Sequence, residues 1–349
     1  MTNTKPRKLL RWVQIVGIIA ISTLIISCSN ATSARTPTPT PTSISSGRAS
    51  GSSQLKDFVY GFDIESDAEI ANAAYDGVQG TLVYGNFPNG TDALSQSLSA
   101  HHMKAIDDMP WEYLFDYETK SGGITSTGAL MNAITTHLEA VKNDPLITGY
   151  WVLDDWPYGS GTAKTLLQQI TALIHQYTPG KRAICGFGGE MPPFPETRAG
   201  WDNATAANFS PQGCDMVGLY IYAQSRTKGT YDWSMRNTLP AVFSSLKRQG
   251  WDPKKEPIVG IPQTFGGDVE GVQWPIPTAS DIETQTKAYC QAGATGIIFY
   301  DWATGYDNPF TDTDMAKGVK NGVADCDALW KISSSSLHLS QKFGFVVPL

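Results

Sequence analysis

Eight short apolar runs, each rich in β-branched and aromatic residues and separated from the next by a helix-period segment, constrain this chain more than any other feature. They are "FVYGFDI" (58–64), "GTLVYGN" (80–86), "KAIDDMPWEYL" (104–114), "ITGYWVLDDWP" (147–157), "RAICGFGG" (182–189), "DMVGLYIYAQ" (215–224), "PIVGIPQTFGG" (257–267) and "TGIIFYDWATG" (295–305). Between them lie segments such as "DAEIANAAYDGV", in which Asp67 is placed to cap a helix, and "GTAKTLLQQITALIHQY". Strands alternating with helices predict βα units around a parallel sheet. Eight is the number that closes into a single α/β (β/α)8 barrel, with a last helix near 312–330 completing the set. An open doubly wound sheet is the alternative, but no glycine fingerprint follows the first strand.

The first 53 residues have a different character. Lys5, Arg7, Lys8 and Arg11 precede an apolar run from Trp12 to Ile26, then Ser27 and Cys28, which is the layout of an export signal over 1–28. The run is short for a membrane span of about 20 residues. "IISC" at 25–28 resembles a bacterial lipobox, which implies lipid attachment at Cys28 and a chain exported to the cell surface, anchored to the outer face of the cytoplasmic membrane, or secreted. Residues 29–53 are Ser, Thr, Pro, Ala and Gly, with "TPTPTPT" at 36–42, a composition unable to offset its ordering entropy. Extended at about 3.1 Å per residue, such a tether reaches roughly 80 Å. The expected organisation is therefore signal, linker, a barrel over 54–335 and a tail over 336–349.

Charge narrows the function. Six of the 26 basic residues and none of the 33 acidic ones lie in the first 50, leaving 20 basic against 33 acidic in the remainder. So negative a domain is no nucleic-acid binder. The five His residues form no zinc spacing with Cys, and no GxGxxG or phosphate-loop element is present, so neither a metal nor a nucleotide cofactor is expected. Beyond Cys28, four cysteines remain. Neighbourhood favours Cys185 with Cys214 and Cys290 with Cys326 over crossed pairings, four buried free thiols being the alternative.

In barrels of this kind the site is built at the carboxyl ends of the strands. Acids fall at five of the eight ends: Asp63 and Glu65, Asp107 and Asp108, Asp154 and Asp155, Glu190, and Asp301. A single acid there is commonly a helix cap. Five acidic ends on one rim are harder to explain as independent caps, because like charges repel. Tyr84, Trp111, Trp156, Tyr220, Tyr222, Trp274, Tyr300 and Trp302 lie at or beyond the same ends. About half of these, Tyr220 and Tyr300 first, read as core. The rest offer flat apolar faces suited to the CH faces of sugar rings.

With "GYWVLDDWP" on the fourth strand and "GIIFYDWATG" on the eighth, residues 55–330 resemble the glycoside hydrolase type of (β/α)8 barrel. The resemblance implies an acid/base residue at Asp155 and a sugar-site floor at Trp302. Departures keep it from any particular family: Asp-Asp stands where the largest clan has Asn-Glu, "GIPQTFGG" carries no glutamate, and the chitinase-type DxxDxDxE signature is absent.

Cleavage of a glycosidic bond needs one carboxyl to protonate the leaving oxygen and one carboxylate as base or nucleophile. Neighbouring strand residues point to opposite faces, so only one of Asp154 and Asp155 enters the cleft unless the strand bends after Leu153. The expectation is Asp155 as acid, with a partner from Asp301, Glu190, Asp107 or Asp63. Asp154 is then a supporting contact, and Gln263 a hydroxyl ligand. Glu270, in the loop with Asp268, is a candidate missing nucleophile, and His101 and His102 read as a helix end. The resulting picture is a monomeric, lipid-anchored glycosidase acting on a poly- or oligosaccharide. The competing pictures are a carbohydrate-binding lipoprotein without catalysis and a divalent-metal enzyme using the acidic rim.

Overall fold

The structure is a computed structural model and describes residues 57–154, 163–188, 198–222, 235–269, 272–303 and 307–343. Its barrel strands are β1 (Phe58–Phe62), β2 (Gly80–Leu82), β3 (Lys104–Asp107), β4 (Ile147–Leu153), β5 (Arg182–Gly188), β6 (Met216–Tyr220), β7 (Ile258–Ile261) and β10 (Gly296–Phe299). They pair in parallel in chain order, and β10 closes against β1. The expected eight-stranded (β/α)8 barrel is therefore the fold. Two further strands, β8 (Gly267–Val269) and β9 (Val272–Trp274), form an antiparallel hairpin where the sequence reads as a loop beyond the seventh strand.

Helices α1 (Asp67–Tyr75), α2 (Ala93–Ala100), α3 (Met109–Thr119), α4 (Thr127–Val141), α5 (Ala163–Tyr177), α6 (Arg198–Asn208), α7 (Met235–Arg248), α8 (Ala279–Gln291) and α9 (Thr313–Phe343) occupy the connections. Their starts are written locally. Ser66 and Glu69 form a capping box on α1, as Thr278 and Asp281 do on α8, and Asp92 and Ser126 cap α2 and α4. The cap of α1 is thus Ser66, with the expected Asp67 in the first turn beside it. The third apolar run divides after Asp107: Pro110, lacking an N–H, is suited to a helix's first turn, and "WEYL" becomes α3. The last helix runs past the expected 330 to Phe343.

All seven residues of β4 are buried, as required of a strand with side chains in the barrel on one face and helices on the other. Trp151 fills the barrel interior edge-on to Phe62, with ring centres 5.8 Å apart. Gly186 on β5 and Gly218 on β6 make room for it: a Cβ at either position would stand 2.5 Å or 2.9 Å from the indole. Both favoured disulfides form. Cys185–Cys214 ties β5 to the segment entering β6, and Cys290–Cys326 ties α8 to α9.

Candidate active site

Asp154, the first residue beyond β4, is half-buried, and both its carboxylate oxygens are engaged. The Tyr84 hydroxyl, from the segment after β2, donates to Oδ2 at 2.8 Å, and the Tyr220 hydroxyl, from the end of β6, donates to Oδ1. The two hydroxyl oxygens lie 3.3 Å apart. Three alternate strands thus converge on one carboxyl. Burial raises the Asp154 pKa, the Tyr220 and Tyr84 bonds pull it back down, and the negative charge of Asp63 pushes it up. Both phenols are held well above their ordinary pKa, first by burial and next by the charge of Asp154, so they remain donors.

Around this carboxyl stands a ring of aromatics. Phe62 lies 5.5 Å from Tyr84 and 5.0 Å from Tyr300, and Tyr300 packs near Tyr220 and stacks 6.0 Å from Tyr222. Phe265 and Trp274 of the hairpin region close against Tyr222 at 5.2 Å and 6.0 Å. Asp301 is buried at the end of β10, after a cis Tyr300–Asp301 peptide bond, and its carbonyl accepts the Thr264 hydroxyl at 2.9 Å.

The other rim acids divide by what they touch. Asp107 is fully buried: Oδ1 accepts the Met109 N–H at 3.0 Å, and Oδ2 lies 2.6 Å from His137 Nε2 of α4. That engagement makes Asp107 a tie between β3 and α4, not the sugar contact expected of it. Asp108, also fully buried, accepts the Gly85 N–H at 2.9 Å on Oδ2, while Oδ1 has no partner among the described residues. Asp63 takes a left-handed backbone conformation (φ 56°), which an Asp side chain tolerates, and its Oδ1 lies 3.4 Å from the Tyr84 N–H.

Gln263 is buried beyond β7, donating from Nε2 to the Phe265 carbonyl at 3.0 Å, with Oε1 unpartnered among the described residues. Trp111 and Trp302 are buried too, Trp302 fully, with a Cβ at Gly61 falling 3.3 Å from its ring. As placed, neither presents an open face. Asp268 is exposed, and His101 caps α2 and pairs with Asp67 at 3.4 Å. Asp155, Trp156, Glu190, Glu270 and Cys28 lie outside the described residues. Among the described residues no group of three His, Cys, Asp or Glu could hold a metal ion.

The sequence reading passed over Tyr220 as core and gave Asp108 no role of its own. The available signal for Tyr220 was its place: the last residue of a buried strand, two before Tyr222, on the rim that carries the acids.

By sequence the chain matches no family model and no curated protein. In three dimensions it is similar to a β-glucuronidase from Ruminococcus gnavus, at TM-score 0.50 and 12% identity over 79% of this chain and 50% of that one. It is similar also to a β-galactosidase from the psychrophilic Marinomonas ef1, at TM-score 0.50 and 9% identity over 80% of this chain and 60% of that one. A β-galactosidase from the Antarctic haloarchaeon Halorubrum lacusprofundi matches at TM-score 0.50 and 11% identity, over 78% and 58%. This chain therefore spans half to three fifths of those enzymes. At such identities the likeness is one of fold alone, the (β/α)8 barrel.

Proposed function

We propose that the protein is a glycoside hydrolase that cleaves a poly- or oligosaccharide at the carboxyl end of its barrel, exported and held at the outer face of the membrane by a lipid on Cys28 and the 29–53 tether. One observation carries the reading: Asp154, at the end of β4, receives hydroxyl donors from the ends of two other strands and sits inside a ring of aromatics. A carboxyl with a donor on each oxygen is configured as a carboxylate. Asp154 is then the base or nucleophile of the pair, the role first given to other acids, and the aromatics Tyr84, Tyr222 and Tyr300 face the sugar.

The proton for the leaving oxygen comes from a second strand-end acid, Asp301 or Glu190 in this reading; Asp155, the neighbour of Asp154, takes that role only if the chain bends after Leu153. The donor protonates the glycosidic oxygen as its bond to the anomeric carbon breaks, Asp154 bonds to that carbon or takes a proton from the incoming water, and the hydroxyl of water completes the new sugar end. Separations of about 5–5.5 Å or about 6.5–9.5 Å between the two carboxyls would give retention or inversion.

The reading is tested by a reducing-end assay on α- and β-linked glucans, galactans, chitin, chitosan and peptidoglycan. Parent enzyme is compared with Asp154→Asn, Asp155→Asn, Asp301→Asn and Glu190→Gln. Release by the parent, and loss in Asp154→Asn and one other variant, is the expected result; full activity in Asp154→Asn would remove that residue from the chemistry.

One observation favours a binding protein instead: the segment after β7 presents the amide of Gln263 where a carboxylate would be useful. Binding of one polymer without any release of reducing ends would select that reading.

A further inference from the structure

We propose that Asp108, together with Asp63, is a positioning residue that braces the Tyr84–Gly85 turn from both sides and so aims the Tyr84 hydroxyl at Asp154. This rests on Asp154 being the reacting carboxyl, and it explains why acids crowd the rim without all touching sugar.

The geometry is a relay across four strand ends. β2 lies between β1 and β3 in the barrel, and the residues following those two neighbours are Asp63 and Asp107–Asp108. From the β1 side, Asp63 Oδ1 faces the Tyr84 N–H at 3.4 Å; from the β3 side, Asp108 Oδ2 accepts the next N–H, that of Gly85, at 2.9 Å. Consecutive backbone donors are thus taken by side chains of both flanking strands. The Tyr84 side chain leaves this clamp and donates to Asp154 Oδ2 at 2.8 Å. Gly85 has φ +65°, and a Cβ there would lie 3.9 Å from the Glu112 carboxyl, so the left-handed turn and not lack of space calls for glycine.

Asp108 suits a brace better than a reactant. It is fully buried, and among the described residues its Oδ1 has no hydrogen-bond partner and no ion pair reaches it. An ionised carboxylate so placed would be left uncompensated, whereas a neutral acid still accepts one N–H through its second oxygen. In agreement, burial holds its pKa well above the usual carboxylate range; the Gly85 bond lowers it, and the charges of Asp107, Asp63 and Asp154 raise it.

The test is a double-mutant cycle on the full chain, with the glycan it cleaves fastest as substrate. Asp108→Ala and Tyr84→Phe should each lower kcat by roughly 10- to 100-fold with little change in KM, the cost of one hydrogen bond to a charged reacting group. The double variant should be no worse than the poorer single one, because both act through the same bond. Asp108→Asn, whose amide oxygen can take the Gly85 N–H, should restore kcat to within about threefold of the parent.

A second readout needs no turnover. In chain labelled with [ζ-13C]tyrosine, the Tyr84 signal, identified by its loss in Tyr84→Phe, should shift in Asp108→Ala and return in Asp108→Asn. Additive losses in the cycle, an Asp108→Asn as inactive as Asp108→Ala, or a Tyr84 signal indifferent to Asp108→Ala would each overturn the proposal. Silence of the parent on every glycan, with the tyrosine signal moving as expected, would instead overturn the hydrolase reading and leave the brace standing.

Discussion

Replacing Asp108 by Asn should make the protein more stable than its parent at neutral pH, with the difference vanishing below about pH 3.9. The folded state holds the Asp108 carboxyl far above the value of about 3.9 that it has in an unfolded chain, chiefly through burial. A raised folded pKa means that the native state binds the proton more tightly than the unfolded state. The resulting stability is complete below about pH 3.9 and is lost as pH rises toward the folded value. In that window the parent loses up to about 1.4 kcal/mol per pH unit through this one group, whereas Asn, an uncharged isostere, loses nothing there. Between pH 5 and pH 7 the gap between the two proteins should therefore widen as pH rises. The thermal midpoint of Asp108→Asn should rise relative to the parent by roughly 2–4 °C for each kcal/mol of that gap, on the scale of a somewhat smaller domain. Asp154, whose pKa is also raised, slopes the same way in both proteins and largely cancels in the difference. Calorimetry of parent and Asp108→Asn at pH 5, 6 and 7 reads the gap directly. Midpoints that run parallel across the range would mean that Asp108 is ionised in the native protein, and the reasoning from its burial would fail.

Removing either hydroxyl donor should act on Asp154 in a definite direction. The Tyr84 and Tyr220 bonds lower its pKa, so Tyr84→Phe and Tyr220→Phe should move the acid limb of the pH–rate profile upward, read from kcat/KM on the best glycan. The disulfides close segments of 29 and 36 residues, for which chain entropy gives about 3.5–4 kcal/mol each; Cys185→Ala and Cys290→Ala should each lower the urea midpoint accordingly, and reduction of the parent should approach their sum. Gly260→Ala should destabilise by about 1–3 kcal/mol, because its Cβ would stand 2.3 Å from the ring of Tyr289. That ring cannot easily withdraw, since the Tyr289 hydroxyl donates to the Leu219 carbonyl and accepts the Ile221 N–H; thermal melts of the variant check the loss.

The barrel was legible because its determinants are local. Apolar strand runs and the spacing of four cysteines are read within a few tens of residues and have the outcome expected of them, while the one cap expected, Asp67, gives way to its neighbour Ser66. The hairpin Gly267–Val269/Val272–Trp274 was not, because strands of three residues flanked by glycines carry the same local signal as a loop. The rim of acids was legible as a rim, since any residue closing a barrel strand faces the same end. What each acid does there was not, because it depends on partners that share no local pattern with it. Asp154 is defined by tyrosines 70 and 66 residues away, and Asp107 by a histidine 30 residues on. Alternation along β4 allows one of Asp154 and Asp155 into the cleft, and the sequence reading names Asp155; Asp154 meets the hydroxyls of Tyr84 and Tyr220, from β2 and β6, while Asp155 lies outside the described residues. The same dependence makes Tyr220 look like core. A phenol ending a buried strand is apolar along its body and polar at its tip, and only the carboxyl arriving from β4 shows that the tip is the part the site uses.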